Sequence, residues 1–433
     1  MKKTALTLAV LGLFASSAIQ AAPKKAPKAP AAAAAPLEIE LVSQLPAEKQ
    51  QALAALVERF NSQEKGGSKI VIADRAWNTP ALPTLMILNN ESEEEFLAGP
   101  TRYKPLSAVM QGAGESLEVA HGVSNVTSPN LMVGGKVAAL PVALDTPVLF
   151  INQDLFRKAG LDPAAPPQTW AQVQTAAGKL YDAGVTCPLT TVQPAKVLIE
   201  NQSAWHNAPF ASANGTGLAA NGLGQVRHLA RMASWQKSRY LQIFGHGTEA
   251  VGHFAKNECG MLLAGQSAMP DVAKGGFSVG VSHLPYYDDV PGAPQNTLAD
   301  GPALWVGAGK SAAEYKLAAR FVRFWLEPAQ QIDWQRATGY LPLNRAGAFA
   351  ASSQSLGSEL QNIQVAIAEL TNKPATNESH STIVGHSAKA QRVIDEQLDT
   401  VWTQGVAAKL ALDNAVQRVQ PTTVAASGKH KAK

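Results

Sequence analysis

Apolar positions recur at strand or helix spacing along most of the chain. Residues 37–42 read as a first strand. Residues 48–61 follow as an amphipathic helix, with Leu53, Leu56, Val57 and Phe60 one helical turn apart. Residues 68–73 and 83–88 are β-branched or apolar runs short enough for strands, as are 136–140 and 146–151. Residues 152–159 form a short helix closed by Gly160. Thr169 caps a longer one that runs to Ala183 and stops at Gly184. A helix is expected over 225–236, and strands over 260–264 and 278–284. Ala312 opens a long helix stopped by Pro328, and another follows over 329–337. Helices over 390–403 and 407–418 close the pattern, and no short internal repeat interrupts it. Strands alternating with helices predict an α/β protein on parallel, doubly wound sheets.

The two ends follow a different pattern. Met1-Lys2-Lys3 precedes a short apolar stretch, and small residues lead to Ala21. That order is the three-part layout of a cleavable export signal, and its core is too short for a stable membrane span. Cleavage is expected after Ala21 or Ala22. No cysteine follows, which excludes a lipidated N-terminus. Residues 22–36, rich in Ala, Pro and Lys, have no apolar period and read as a linker. Residues 421–433 read as a disordered tail. The exported protein is expected in a bacterial periplasm.

Composition narrows the function classes. A chain of 433 residues suggests two or three domains. With 46% hydrophobic and 16% charged residues it supports large cores and is not disordered. The net charge of +4 owes much to lysines in the two ends, so the body offers no nucleic-acid footprint. Two cysteines exclude a disulfide-rich scaffold and a cysteine-based zinc cluster. His246 and His253, like His380 and His386, are too loosely spaced to predict a metal site, and no HExxH occurs. There is no phosphate loop and no GxSxG elbow, so an enzyme is not expected and no cofactor is implied.

The string from Val148 to Pro163, Val-Leu-Phe-Ile-Asn-Gln-Asp-Leu-Phe-Arg-Lys-Ala-Gly-Leu-Asp-Pro, followed by Pro167-Gln168-Thr169-Trp170, resembles the extracellular solute-binding proteins of ABC importers, in the maltose-binding-like cluster. Glu200-Asn201-Gln202-Ser203, Leu304-Trp305-Val306, Thr338-Gly339-Tyr340-Leu341-Pro342 and the run from Asp395 to Trp402 sharpen the likeness toward its glycerol-3-phosphate-binding members. The resemblance is dense from about Val137 to Val416. It implies a type II periplasmic-binding-protein fold: two α/β lobes, hinge-joined, with doubly wound sheets. The N-terminal lobe would be 37–142 plus 302–342, and the other 143–301 plus 343–420, with crossings near Leu144 and Asp300. A solute would bind between them and the closed form would dock on permease subunits in the inner membrane. A monomer is expected.

By resemblance, seven residues should reach the ligand: Asn90, Asp145, Trp205, Gly265, Gly301, Tyr340 and Arg392. Asn90 takes the place of a glutamate that grips a hydroxyl. Asp145 takes that of a serine, either to meet hydroxyls or an amine or to cap a hinge turn. Gly265 also replaces a serine. Gly301 would let backbone approach the ligand, and Tyr340 would offer its hydroxyl. Gln193 and Lys196 stand where two wall tryptophans belong, leaving Trp205 as either cleft or core. The anion-clamping arginine aligns with Gln391, and Arg392 lies one residue, about 100°, further round the helix. Glu91, Glu93, Glu94 and Glu95 read as a solvated helix start. The stretch 72–82 is short, as if a helix of the first lobe were missing. Cys187 and Cys259 match family positions and are either a disulfide or two buried thiols. The ligand class implied is glycerol-3-phosphate or a glycerophosphodiester, or else a sugar or polyol. A scaffold with an altered site, acting as an interaction or sensory protein, is the alternative.

Overall fold

The computed structural model describes residues 36–117, 131–133, 136–343 and 358–419. The export signal, all of the linker but Pro36, and the C-terminal tail lie outside the described residues.

A first sheet is built from β1 (Glu38–Ser43), β2 (Lys69–Ile72), β3 (Leu85–Leu88) and β11 (Ala303–Val306), in the order β11-β3-β1-β2. Leu41 faces Leu85 on one side and Ile72 on the other, both in parallel register, while β11 runs antiparallel to β3 with Trp305 opposite Met86. The expected helix forms over Ala47–Gln63 and buries Leu53, Leu56, Val57 and Phe60. Phe60 meets Phe321 and Phe324 of the helix Ala312–Trp325 edge-on or tilted, at 5.2 and 5.6 Å. A Ser311–Glu314 capping box starts that helix, and Pro328 opens the next, Pro328–Thr338, at a position where a missing N–H costs nothing.

β4 (Met132–Val133) and β5 (Lys136–Val137) pair as a short ribbon. A second sheet holds β6 (Pro147–Asn152), β7 (Cys187–Thr191), β8 (Leu241–Gln242), β9 (Cys259–Gly265) and β10 (Val279–Ser282), ordered β10-β6-β9-β7-β8. β7 lies parallel to β8 and β9, whereas β6 is antiparallel to both neighbours. The expectation of parallel sheets is thus corrected: both are mixed. A strand fed by a crossover helix must enter parallel. β6 and β11 instead arrive from the other sheet, and nothing forces that direction on them. Cys187 sits opposite Cys259 on β7 and β9, and the two form a disulfide with a Cα–Cα distance of 4.4 Å.

The chain passes between the sheets on neighbouring strands. Asp145 and Asp300 exchange two backbone hydrogen bonds of 2.9 Å, and Leu140 pairs with Leu304. A third segment joins them where Leu341 N–H donates to Leu144 O at 2.8 Å. Gly301 makes the close approach possible. Its φ is +143°, and a Cβ there would lie 1.8 Å from Ala143 O.

Candidate functional site

The ends of β3, β6, β7 and β9 and the paired crossings converge on a region packed with charge. A π-helical segment, Ala195–Asn201, follows β7 and continues into a helical turn, Gln202–Trp205. The Asp395 carboxylate accepts the Ala195 N–H at its start. Widened turns of this kind often re-aim side chains at functional sites. Here the segment aims Lys196 and Glu200 inward. Lys196 Nζ contacts Asp300 Oδ2 directly. Asn90, first residue of the helix Asn90–Leu97, donates from Nδ2 to the same oxygen at 2.7 Å.

His386 completes the chain of contacts. Its Nδ1 lies 3.2 Å from Asp300 Oδ1 and its Nε2 2.9 Å from Glu93 Oε1. With carboxylates at both ring nitrogens, the imidazole can donate from both only when doubly protonated. Glu93 also accepts from Trp305 Nε1 at 3.1 Å. Only 1% of Glu93 is exposed, which corrects the expectation of a solvated helix start for this residue. Glu200 accepts from Gln391 Nε2 at 3.0 Å and presses against Gly385, where a Cβ would sit 2.1 Å from Oε1. No void large enough for a water molecule remains among Lys196, Glu200, Asp300 and His386.

Burial sets the protonation preferences. It lowers the Lys196 pKa, and the negative charges of Glu200 and Asp145 resist the shift. It raises that of Glu200, against the opposing charges of Lys196 and His386 and the bond from Gln391. Asp145 is raised by burial too, and its hydrogen bonds to Ser267 and Thr146 hold it back.

The sequence-derived residues separate into two groups. Asn90, Asp145, Gly265, Gly301 and Tyr340 lie around the crossings. Asp145 acts as a turn cap: Oδ1 accepts from Thr146 N–H at 2.9 Å and Ser267 N–H at 3.0 Å, and Oδ2 from Ser267 Oγ at 2.5 Å. Lys49, from the helix beside β1, reaches Ser267 O at 3.0 Å and Asp271 at 3.2 Å. The Gly301 N–H is taken by Asp300 Oδ1 at 2.8 Å. Tyr340 is buried and stacks on Trp334. Burial, followed by the Asp145 charge, pushes its hydroxyl pKa up.

Trp205 and Arg392 lie elsewhere, the first in the core and the second on the surface. Trp205 is core: it is 2% exposed, with Nε1 donating to Leu284 O at 2.8 Å. Arg392 is on the rim, 59% exposed and paired with Glu91 at 2.9 Å. The 100° step from Gln391 carries Arg392 out while Gln391 points in. The residues that sequence reasoning passed over are Lys196, Asp300, Glu200, Glu93 and His386. Lys196 carried a signal, because the resemblance implies a tryptophan at that position.

Residues 57–354 match the family described as bacterial extracellular solute-binding protein. The chain is 32% identical over 356 residues to the sn-glycerol-3-phosphate-binding periplasmic protein of Pectobacterium atrosepticum, covering 80% of this chain and 79% of that one. It is 30% identical over 363 residues to the protein of that name from Salmonella typhimurium, covering 82% of each. Among solved structures, UgpB from Mycobacterium tuberculosis in complex with glycerophosphocholine superposes with a TM-score of 0.71 at 19% identity, over 88% of this chain and 97% of that one. The cyclic alpha-maltosyl-1,6-maltose binding protein of Arthrobacter globiformis gives 0.69 at 18%, over 89% and 98%. Both share the fold of two sheets joined by crossing strands.

Proposed function

The chain belongs to the bacterial extracellular solute-binding proteins, and we propose that its solute must compete with the protein's own side chains for the interlobe cleft. The protein serves an ABC importer as the periplasmic component that captures a solute and delivers it to the permease. Residues 37–142 with 302–342 form one lobe and 143–301 with 343–420 the other. The hinge runs through Leu144 and Asp300. Residues 1–21 direct export and are removed near Ala21.

The observation that carries this reading is the run Lys196–Asp300–His386–Glu93. Lys196 and His386 follow β7 and precede the last long helices, while Glu93 belongs to the helix after β3, so the run ties one lobe to the other. A solute can enter only by exchanging these partners for its own.

The solute class is a small, hydroxyl-rich one such as a polyol. Carboxylates outnumber cations around Asp300, and hydroxyls donate to carboxylates while accepting from Lys196 and Asn90. A phosphate would face Asp145, Glu200 and Asp300 without the arginine clamp, since Arg392 stands on the rim. Sugar-ring stacking finds no aromatic face at Gln193 or Lys196. Calorimetric titration of the mature protein with glycerol, sorbitol, glycerol-3-phosphate, glycerophosphocholine and maltotriose tests this. Saturable binding of a polyol alone supports it, and tighter binding of glycerol-3-phosphate overturns the solute class.

The second reading, an interaction or sensory scaffold, is favoured by the same filled cleft. It predicts that no solute binds, even when Lys196→Met removes the competing ammonium.

A further inference from the structure

A second cavity lies behind the cleft, within the lobe of the second sheet. Its volume is about 80 Å³, and Leu198, His206, Arg227, His228, Tyr287 and Val290 are among its walls. Leu198 belongs to the same π-helical segment that turns Lys196 and Glu200 into the cleft, so the cavity occupies that segment's other side.

Two residues of its wall each carry a buried nitrogen with no hydrogen-bond partner among the described residues. His228 is 2% exposed, and its Nδ1 lies 2.9 Å from the Tyr287 hydroxyl while its Nε2 has no hydrogen-bond partner. Arg227 gives its terminal nitrogens to Asp289, at 2.8 and 3.0 Å, while its buried Nε also has none. By contrast His206 is satisfied at both nitrogens, by Gln202 O at 2.7 Å and by Tyr287 N–H at 2.8 Å. Unpaired buried donors are uncommon, and two in one cavity wall ask for an acceptor with two oxygens.

We propose that this cavity is a binding site for a small monocarboxylate with an apolar body, its oxygens meeting Arg227 Nε and His228 Nε2 and its body packing on Leu198, Val290 and the Tyr287 ring. With the Tyr287 phenol as the donor to His228 Nδ1, the proton of the neutral imidazole sits on Nε2. Burial keeps His228 neutral, its pKa well below the ordinary value, and pushes Tyr287 up to about 12, so the phenol keeps its proton. The charge balance suits an anion: Arg227 and Arg231 both stand over the Tyr287 ring, at 4.3 and 5.0 Å, against the one carboxylate of Asp289.

Benzoate is the probe, with benzyl alcohol as its uncharged counterpart, titrated by calorimetry and followed by the His228 ring signals in NMR. Two variants remove the site in different ways. His228→Phe deletes one donor. Gly224→Phe places a ring at the mouth from a position where a Cβ meets nothing within 4 Å, so it decides the matter should His228→Phe fail to fold. The expected result is saturable benzoate binding that shifts the His228 signals and exceeds that of benzyl alcohol. His228→Phe should weaken it about tenfold, Gly224→Phe should abolish it, and Lys196→Met in the cleft should leave it unchanged. No saturable benzoate binding, equal binding of benzyl alcohol, or undiminished binding by Gly224→Phe overturns the proposal.

Discussion

The carboxylate of Asp145 occupies the space that a side chain at Gly265 would need: a Cβ built on Gly265 would lie 2.0 Å from Asp145 Oδ2. The resemblance implies serines at both positions, and read that way the two residues change as a pair. A larger acidic group at 145 reaches Ser267, and the glycine at 265 lets it pass.

That coupling is measurable. Gly265→Ser alone should displace Asp145 from Ser267 and cost about 1–3 kcal/mol, as overpacking does. Asp145→Ser combined with Gly265→Ser should recover much of the loss. Urea denaturation of both single variants and the double variant closes the cycle, and additive losses would mean that the residues are independent.

His386 bridges Glu93 and Asp300, and both carboxylates are largely buried. His386→Ala should remove the group that links Glu93 to Asp300 and destabilise the protein by about 3–5 kcal/mol, as when one partner of a buried polar pair is removed. Replacing Glu93 by Gln in the same chain should restore part of that stability. Thermal and urea unfolding measure both.

The pH profile contains two opposed contributions. Burial raises the Glu369 pKa well above its ordinary value, so the folded state holds a proton that the unfolded state releases. Its contribution is present below about pH 4.5 and is lost as pH rises toward the folded value. His206, held down to about 4 by burial, acts in the other direction: its contribution is present above about pH 6.5 and is lost as pH falls toward 4. Glu369→Gln should thus gain stability relative to wild type at pH 8 compared with pH 4.5. Denaturant melts at the two values check the sign.

The Cys187–Cys259 disulfide joins residues 72 apart in sequence. On chain-entropy grounds, closing a loop of that size is worth about 4 kcal/mol. Reduction, or the double replacement by alanine, should lower stability by an amount of that order without changing the far-ultraviolet circular dichroism.

Much of the fold was legible. Phe60 and Leu53 announce their helix through spacing, and Thr169 announces another through its cap. These signals are local, and local physics sets them. The direction of β6 was not legible, because it depends on where the chain has been rather than on what the strand contains. The site followed the same division. Asn90, Asp145 and Tyr340 lie at the crossings because their motifs fix local turns. Glu93 looked like one of several solvated glutamates. Its burial depends on His386, 293 residues away. A charged residue is buried only where its partner arrives, and no window of sequence contains both. Trp205 shows the reverse case, a large aromatic whose indole N–H finds Leu284 O and so belongs to the core.

The central claim is that the protein's own ion pairs hold the cleft shut without solute. Small-angle X-ray scattering of the ligand-free protein tests it most directly, with wild type compared to His386→Ala, which removes the contact to Glu93 across the lobes. The account predicts a closed wild type whose scattering is unchanged by added polyol, and an expanded variant that contracts when polyol is added. A ligand-free wild type as expanded as His386→Ala would contradict it.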